Sequence, residues 1–381
     1  MARRVAVTWD HDRLKRDRLA MLQAEMARQD IGALYLSEGP HHRYLLDVKV
    51  PSASVFVPVE GDIVAFVRSR DIGYVAMEHK GVELGNETPP ELRNIQSDPA
   101  GSLRDLMARN GVAGERLGID QLRPALLVPL IKSGLEVIDA DLCCERTASV
   151  KTEDEIAMYR AIGQQHVRTF EAFRDAIQPG VTELDLAALV TATWTDVGGE
   201  DIAQLNVCSQ ENMNPWRRWS TERVLAAGEL VGIDLHGRSS GGLRGDSSTT
   251  FLVGDEPTPE QRRDYREAYE YLQAAIKILR AGRSIADVMA DQPPIPERFR
   301  EQQLQYHVAH GVGIQHSGYP HIDPRAKPID DVLWPNQVLS VECVFGETGK
   351  PYAIKLEEMI AVREGEPEII AGIPLDKRLL V

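Results

Sequence analysis

Val231-Gly-Ile-Asp234-Leu-His236-Gly237, followed after a short turn by Arg244-Gly-Asp246-Ser-Ser-Thr-Thr250-Phe251, is the stretch that decides the fold. It reads as two apolar strands joined by a glycine- and serine-rich turn. Each strand carries an acid where a core strand would take another aliphatic residue. Folding this hairpin about Ser240 predicts Asp234 and Asp246 as cross-strand neighbours. Two carboxylates that close repel by roughly 4 kcal/mol at an effective dielectric of about 20. A positive charge must sit between them, or one must carry a proton.

Three downstream segments carry groups that could complete such a site. His307-Val-Ala-His310-Gly-Val-Gly313-Ile-Gln-His316-Ser-Gly-Tyr-Pro-His321 reads as a glycine-punctuated loop with four of the ten histidines. Val338-Leu-Ser-Val-Glu342-Cys-Val-Phe345 and Ala353-Ile-Lys-Leu-Glu357-Glu-Met-Ile-Ala-Val362 read as two more apolar strands, each interrupted by acid. Pairing them about the Gly346–Pro351 turn sets Glu342 opposite Glu357. Four strand carboxylates and one imidazole form a hard, oxygen-rich cluster that suits two divalent ions such as Mn, Co, Zn or Fe better than one structural zinc. Without cations it would repel itself strongly.

The composition is that of an ordinary globular protein. A chain of 381 residues is too long for most single cores, which predicts two domains, 1–147 and 148–381. A net charge of −15 argues against nucleic acid or an anionic membrane as partner. The basic start lacks an apolar run, so no secretory signal is expected, and no apolar run is long enough to span a membrane. Cys143, Cys144, Cys208 and Cys343 show no metal or disulfide spacing, which predicts reduced, mostly buried thiols and a cytoplasmic protein.

Residues 12–30 predict an amphipathic helix, and the runs Ala33–Leu36, Ser54–Pro58 and Asp62–Val67 predict strands. With a helix from Gly101 to Asn110 and a strand near Leu135–Ile138, they suggest a small α/β domain ending near residue 145. His41 and His42 read as solvated loop residues, or as a contribution to a neighbouring subunit's active site. A new unit opens at Thr152, whose spacing to Glu155 is a capping box. Gly180, Thr182 and Asp185 recur at identical spacing as Gly282, Ser284 and Asp287, the second set after a long helical pattern over Pro259–Ala281. Two copies of long helix, glycine turn and short helix predict a duplicated half-domain with its site between the copies. Between them, Glu211–Ser220 reads as a loop, with Trp216, Arg217, Arg218 and Trp219 placed to meet substrate; aromatic faces hold onium cations and arginines clamp carboxylates.

Asp234, Asp246, His310, Glu342 and Glu357 occur in an order and setting that resemble the five metal ligands of the pita-bread metallopeptidases, the family of methionine aminopeptidase, aminopeptidase P, prolidase and metal-free creatinase. The likeness covers residues 150–365, and the preceding domain resembles the creatinase/prolidase N-terminal domain. It implies an α+β chain: a smaller α/β domain followed by a duplicated pita-bread catalytic domain, assembled as a homodimer. The longer Asp-to-Asp spacing, the Asn214-Pro-Trp216 loop and the Val341–Glu347 and Lys355–Glu358 runs look most like the dimethylsulfoniopropionate lyase branch. That branch has Asp where this chain has His236 and His316. On a strand, His236 shares a face with Asp234 and so can reach metal or substrate. His316 is a candidate proton shuttle or oxyanion donor. His307 is a lesser candidate for substrate contact, and His321 reads as structural.

The resulting expectation is a dinuclear-metal hydrolase cleaving a C–N bond in a small amino-acid-derived or dipeptide substrate, with Glu342, as the resemblance implies, sharing in proton transfer. The alternatives are a lyase acting on a small onium carboxylate and a non-catalytic binding module on the same fold.

Overall fold

The computed structural model describes residues 4–50, 53–67, 91–94, 99–121, 124–217, 219–254, 256–303, 308–315 and 317–381. The chain divides into two compact units, Thr8–Ala148 and a second that joins Met1–Val7 to Ser149–Val381. The N-terminal segment is tied into the second unit by the Val5 amide, which donates to the Val197 carbonyl at 2.8 Å.

The first unit is a six-stranded mixed sheet with the order β4-β3-β2-β1-β5-β6. β1 (Ala33–Leu36), β2 (Ala53–Pro58) and β3 (Val64–Val67) are antiparallel neighbours, whereas β4 (Glu91–Asn94), β5 (Leu117–Ile119) and β6 (Val137–Asp139) pair in parallel. Leu103, Leu106 and Met107 of helix Pro99–Arg109 pack with Phe56, Phe66 and Leu117. The first helix, His11–Arg28, starts where the Asp10 side chain accepts from the Asp12 and Arg13 amides. His41 and His42 correct the sequence reading: they lie buried on a helix, Gly39–Leu46, rather than in a solvated loop. Pro40 stands in the helix's first turn, where it lacks only an amide that has no helical partner. His41 Nδ1 meets the Asp120 carboxylate at 2.9 Å.

The second unit carries an antiparallel sheet in the order β11-β10-β12-β13-β9-β8-β7, with β14 (Glu368–Ile369) added beside β13. Its strands are β7 (Asp201–Ser209), β8 (Leu230–Arg238), β9 (Arg244–Leu252), β10 (Ala309–Gly311), β11 (Gly318–Ile322), β12 (Val338–Gly346) and β13 (Ala353–Ala361). Helix Glu153–Ala176 lies against β9, and helix Pro259–Lys277 lies against β12 and β13. Both open with capping boxes, Thr152 with Glu155 and Thr258 with Gln261. The second helix stops short of the predicted Ala281, whose amide turns to the Arg363 carbonyl at 2.9 Å.

The duplication extends to individual hydrogen bonds. Gly180 and Gly282 both have positive φ, +97° and +81°, a region open to glycine without the clash a side chain would bring. Their amides donate to Leu225 O at 2.9 Å and Leu333 O at 2.8 Å. Two residues on, Thr182 and Ser284 each cap the next helix by accepting from the amide of Asp185 and Asp287, but only the second is short as expected: Glu183–Val197 has 15 residues and Ile285–Ala290 has 6.

Helix Glu153–Ala176 approaches the C-terminal segment at Gly163, where a Cβ would stand 2.3 Å from the Ile370 carbonyl oxygen. Gly163→Ala is therefore expected to cost about 1–3 kcal/mol despite alanine's better helix propensity, read as a lower urea midpoint.

Candidate metal centre

Five adjacent strands place one polar row across the sheet. Asn206 on β7 pairs with Asp234 on β8, Asp234 with Ser248 on β9, Ser248 with Glu357 on β13, and Glu357 with Glu342 on β12. The Glu342–Glu357 pairing is the one predicted. Asp234 and Asp246 are not directly opposed as predicted: Asp246 pairs with His236, one step along the hairpin. The reason is the turn, centred on Gly241 rather than Ser240, where Gly241 and Gly242 take φ of +64° and +78°. A shift of two in register keeps both acids on the same face as diagonal neighbours. His236 fills the place between them, with Nδ1 2.9 Å from Asp246 Oδ2 and Nε2 3.2 Å from Asp234 Oδ1.

Lys355 enters the sequence reading only as the first residue of the Lys355–Glu358 run, with no role at the site. It precedes Glu357 by two residues on β13, so it shares that face. Its Nζ lies 2.9 Å from Asp234 Oδ2, 2.9 Å from Glu357 Oε2, 3.3 Å from Glu342 Oε2 and 2.7 Å from Ser248 Oγ. Burial disfavours every charge here, but the pairings outweigh it. Burial alone would raise the Asp234 and Glu357 carboxyls; the Lys355 ammonium holds both well below the usual carboxylate range. Burial alone would likewise lower Lys355, and the Asp234, Glu357 and Glu342 carboxylates keep it well above its ordinary value. His236 is pushed up to about 10, against burial, by Asp246 and Asp234.

The other end of the cluster has a different chemistry. His310, predicted in a loop, sits on the short strand β10 between β11 and β12. Its Nδ1 donates to the Gly311 carbonyl at 3.0 Å, which turns Nε2 toward Asp246 Oδ2 at 3.3 Å and Glu357 Oε1 at 3.7 Å. A ring fixed through Nδ1 and presenting Nε2 to carboxylates suits a metal ligand. Both oxygens of Asp246 are buried; Oδ2 is met by His236 Nδ1 and His310 Nε2, and Oδ1 has no hydrogen-bond partner among the described residues. Buried acceptors are normally satisfied, so the Oδ1 lone pairs fit a cation. Asp246, His310 and Glu357 present ligand atoms within 4.8 Å of one another, as do Asp234, His236 and Asp246.

Glu183, not singled out in the sequence, ties the neighbouring loop to the sheet. Its carboxylate accepts from the Ser209 and Thr221 amides and hydroxyls and from Asn212 Nδ2, at 2.7 to 3.1 Å. The loop between holds Trp216 buried against Gly232, where a Cβ would meet the indole at 2.5 Å, with Lys355 Nζ 5.8 Å from the ring centre. Trp219 is 63% exposed, and the Arg217 guanidinium lies 5.8 Å over its ring. The proposed substrate aromatics therefore occupy different settings, one beneath the cluster and one at the surface. His307, His316 and Arg218 lie outside the described residues. His321 is exposed on β11, paired with His310 and with ring centres 6.3 Å apart.

Residues 157–364, more than half of the chain, match the model of metallopeptidase family M24. The chain belongs to that family. Residues 18–147 match the creatinase/prolidase N-terminal domain. Dimethylsulfoniopropionate lyase of Roseovarius nubinhibens is 29% identical over 290 residues, covering 73% of this chain and 64% of that protein. The chain thus spans just under two thirds of that relative's length. A probable dipeptidase PepE of Mycobacterium tuberculosis is 25% identical over 270 residues, covering 70% of each. The Xaa-Pro dipeptidase of Bacillus anthracis shares the fold with a TM-score of 0.79 at 18% identity, covering 95% of this chain and 99% of that one. The architecture is the pita-bread M24 fold behind a creatinase-type N-terminal domain, and among the described residues no helix is long and apolar enough to cross a membrane.

Within this M24 unit, His166 lies behind the cluster, fully buried and edge-on to Trp194 and Phe170. Neither ring nitrogen has a partner among the described residues. Burial brings it down to about 4, against the upward pull of Asp246. A histidine lowered from about 6.5 contributes stability that is complete above that pH and is lost as the pH falls toward about 4. The loss should be on the order of 3 kcal/mol, seen as a urea-midpoint slope over that window that His166→Leu flattens.

Proposed function

We propose that this M24 protein is a metal-dependent hydrolase cleaving a C–N bond, amide or Xaa-Pro-like, in a small amino-acid-derived or dipeptide substrate. The observation that carries this reading is the buried Asp246 carboxylate, whose Oδ1 has no hydrogen-bond partner among the described residues and whose Oδ2 lies 3.3 Å from His310 Nε2 and 2.9 Å from His236 Nδ1. Asp246, His310 and Glu357 would hold a divalent cation, with Glu342 and Asp234 adjoining. Bound there, it would supply Lewis-acid polarisation of the scissile carbonyl and a more acidic water.

The chain's own residues do the remaining work. Glu342, paired across the strands with Glu357 and 4% exposed, takes the proton of the attacking water and passes it to the leaving nitrogen. Lys355 holds Glu342 and Glu357 in place, and Ser340 Oγ, 2.8 Å from Glu357 Oε1, fixes the other side of that carboxylate. Trp216 and Trp219 with Arg217 supply aromatic and cationic surface for the substrate's organic end. The four cysteines, all buried and unpaired, support a reducing, cytoplasmic setting.

Elimination from a small onium carboxylate is the second reading, favoured by the 29% identity to a dimethylsulfoniopropionate lyase. The two separate in one assay. The metal-reconstituted protein is offered Xaa-Pro dipeptides and dimethylsulfoniopropionate, and amine and acrylate release are followed separately. Amine release that chelation abolishes and Glu342→Gln lowers by about 10²-fold or more is expected. Acrylate release alone would replace the hydrolase with the lyase, and a protein that takes up no metal would favour a binding module.

A further inference from the structure

Two ends of one carboxylate cluster are satisfied in different ways. At the Asp234 end every carboxylate oxygen already has a protein partner. Oδ2 receives Asn206 Nδ2 at 2.9 Å and Lys355 Nζ at 2.9 Å. Oδ1 meets Ser248 Oγ at 2.8 Å and His236 Nε2 at 3.2 Å. At the Asp246 end only Oδ2 is met, by His236 Nδ1 at 2.9 Å and His310 Nε2 at 3.3 Å, while the buried Oδ1 has no hydrogen-bond partner among the described residues.

Lys355 is what separates them. Its ammonium touches three of the four carboxylates and the serine that links Asp234 to Glu357. The residue is 3% exposed, so its charge stays where the strand places it. Its backbone is held in turn: the Lys355 amide donates to Thr250 Oγ1 at 3.1 Å, and the Lys355 carbonyl accepts from the same hydroxyl at 3.0 Å. The His236 ring closes the remaining side between Asp234 and Asp246. A monovalent cation supplied by the chain thus stands among carboxylates that would otherwise call for a metal ion.

We propose that the Lys355 ammonium takes the place of one of two dications, so that this chain binds a single divalent ion, held by Asp246, His310 and Glu357. This rests on the metal-dependent reading above and narrows it: Asp234 becomes a partner of Lys355 and His236 rather than a metal ligand, and Lys355 a positioning residue for Glu342 and Glu357.

The test is metal stoichiometry, measured on the full chain saturated with Mn²⁺ and desalted. The wild-type protein is expected to carry one Mn²⁺ per chain with an electron paramagnetic resonance signal free of Mn–Mn exchange coupling. Lys355→Ala, and the volume-preserving Lys355→Met, are expected to carry two with a coupled signal. Two coupled ions in the wild type would overturn the inference while leaving a metal-dependent enzyme. One ion in both wild type and folded variants would also overturn it, because Lys355 would not be what excludes the second. No ion in any of them would overturn the metal-dependent reading itself. If neither variant folds, the wild-type count and signal decide alone.

Discussion

Burying several carboxylates in the middle of an apolar sheet is the constraint on which this structure depends. Glu342 and Glu357 face each other directly across β12 and β13, and Asp234 and Asp246 are diagonal neighbours on β8 and β9. Each such pair opposes folding by roughly 3–4 kcal/mol at an effective dielectric of about 20. Total stability of a domain is only about 5–15 kcal/mol, so positive charge must be built in or bound. The chain builds in Lys355 and draws His236 and His310 into the same cluster. What those groups leave unsatisfied, above all Asp246 Oδ1, is what makes the cluster chemically useful.

The duplicated architecture explains why this happens at one place. Each half contributes a long capped helix, a glycine turn leading into a second capped helix, and a β-hairpin carrying two acids. The halves join where β9 pairs with β13, and the register at that seam is Ser248 against Glu357. Ser248 therefore stands at the junction, reaching Asp234 on one side and Glu357 on the other. The site is the seam between the copies, and apolar strands on each side keep it dry.

Much of this was legible in the sequence because acids inside β-branched and leucine-rich runs conflict with the strands around them. Asp234, Asp246, Glu342 and Glu357 stood out for that reason, and the single-step pairing of Glu342 with Glu357 followed from its turn. The Asp234–Asp246 register was misplaced because two successive left-handed glycines recentre the turn. Lys355 was passed over as a polar residue in a strand, although its place two residues before Glu357 put it on the acidic face. Glu183 and Asn206 carried no local signal, since their partners are set by the chain's return from the Trp216 loop and by the β7–β8 register. His41 and His42 were misread because a proline that opens a helix looks the same in sequence as one that ends it.

The account stands on the carboxylate row being a cation centre completed by Lys355 and a bound metal. Anomalous diffraction at the manganese edge, from crystals grown with saturating Mn²⁺, observes both directly. The account predicts a peak bounded by Asp246, His310 and Glu357, with the Lys355 ammonium still against Asp234. A map with no peak among these side chains would contradict it.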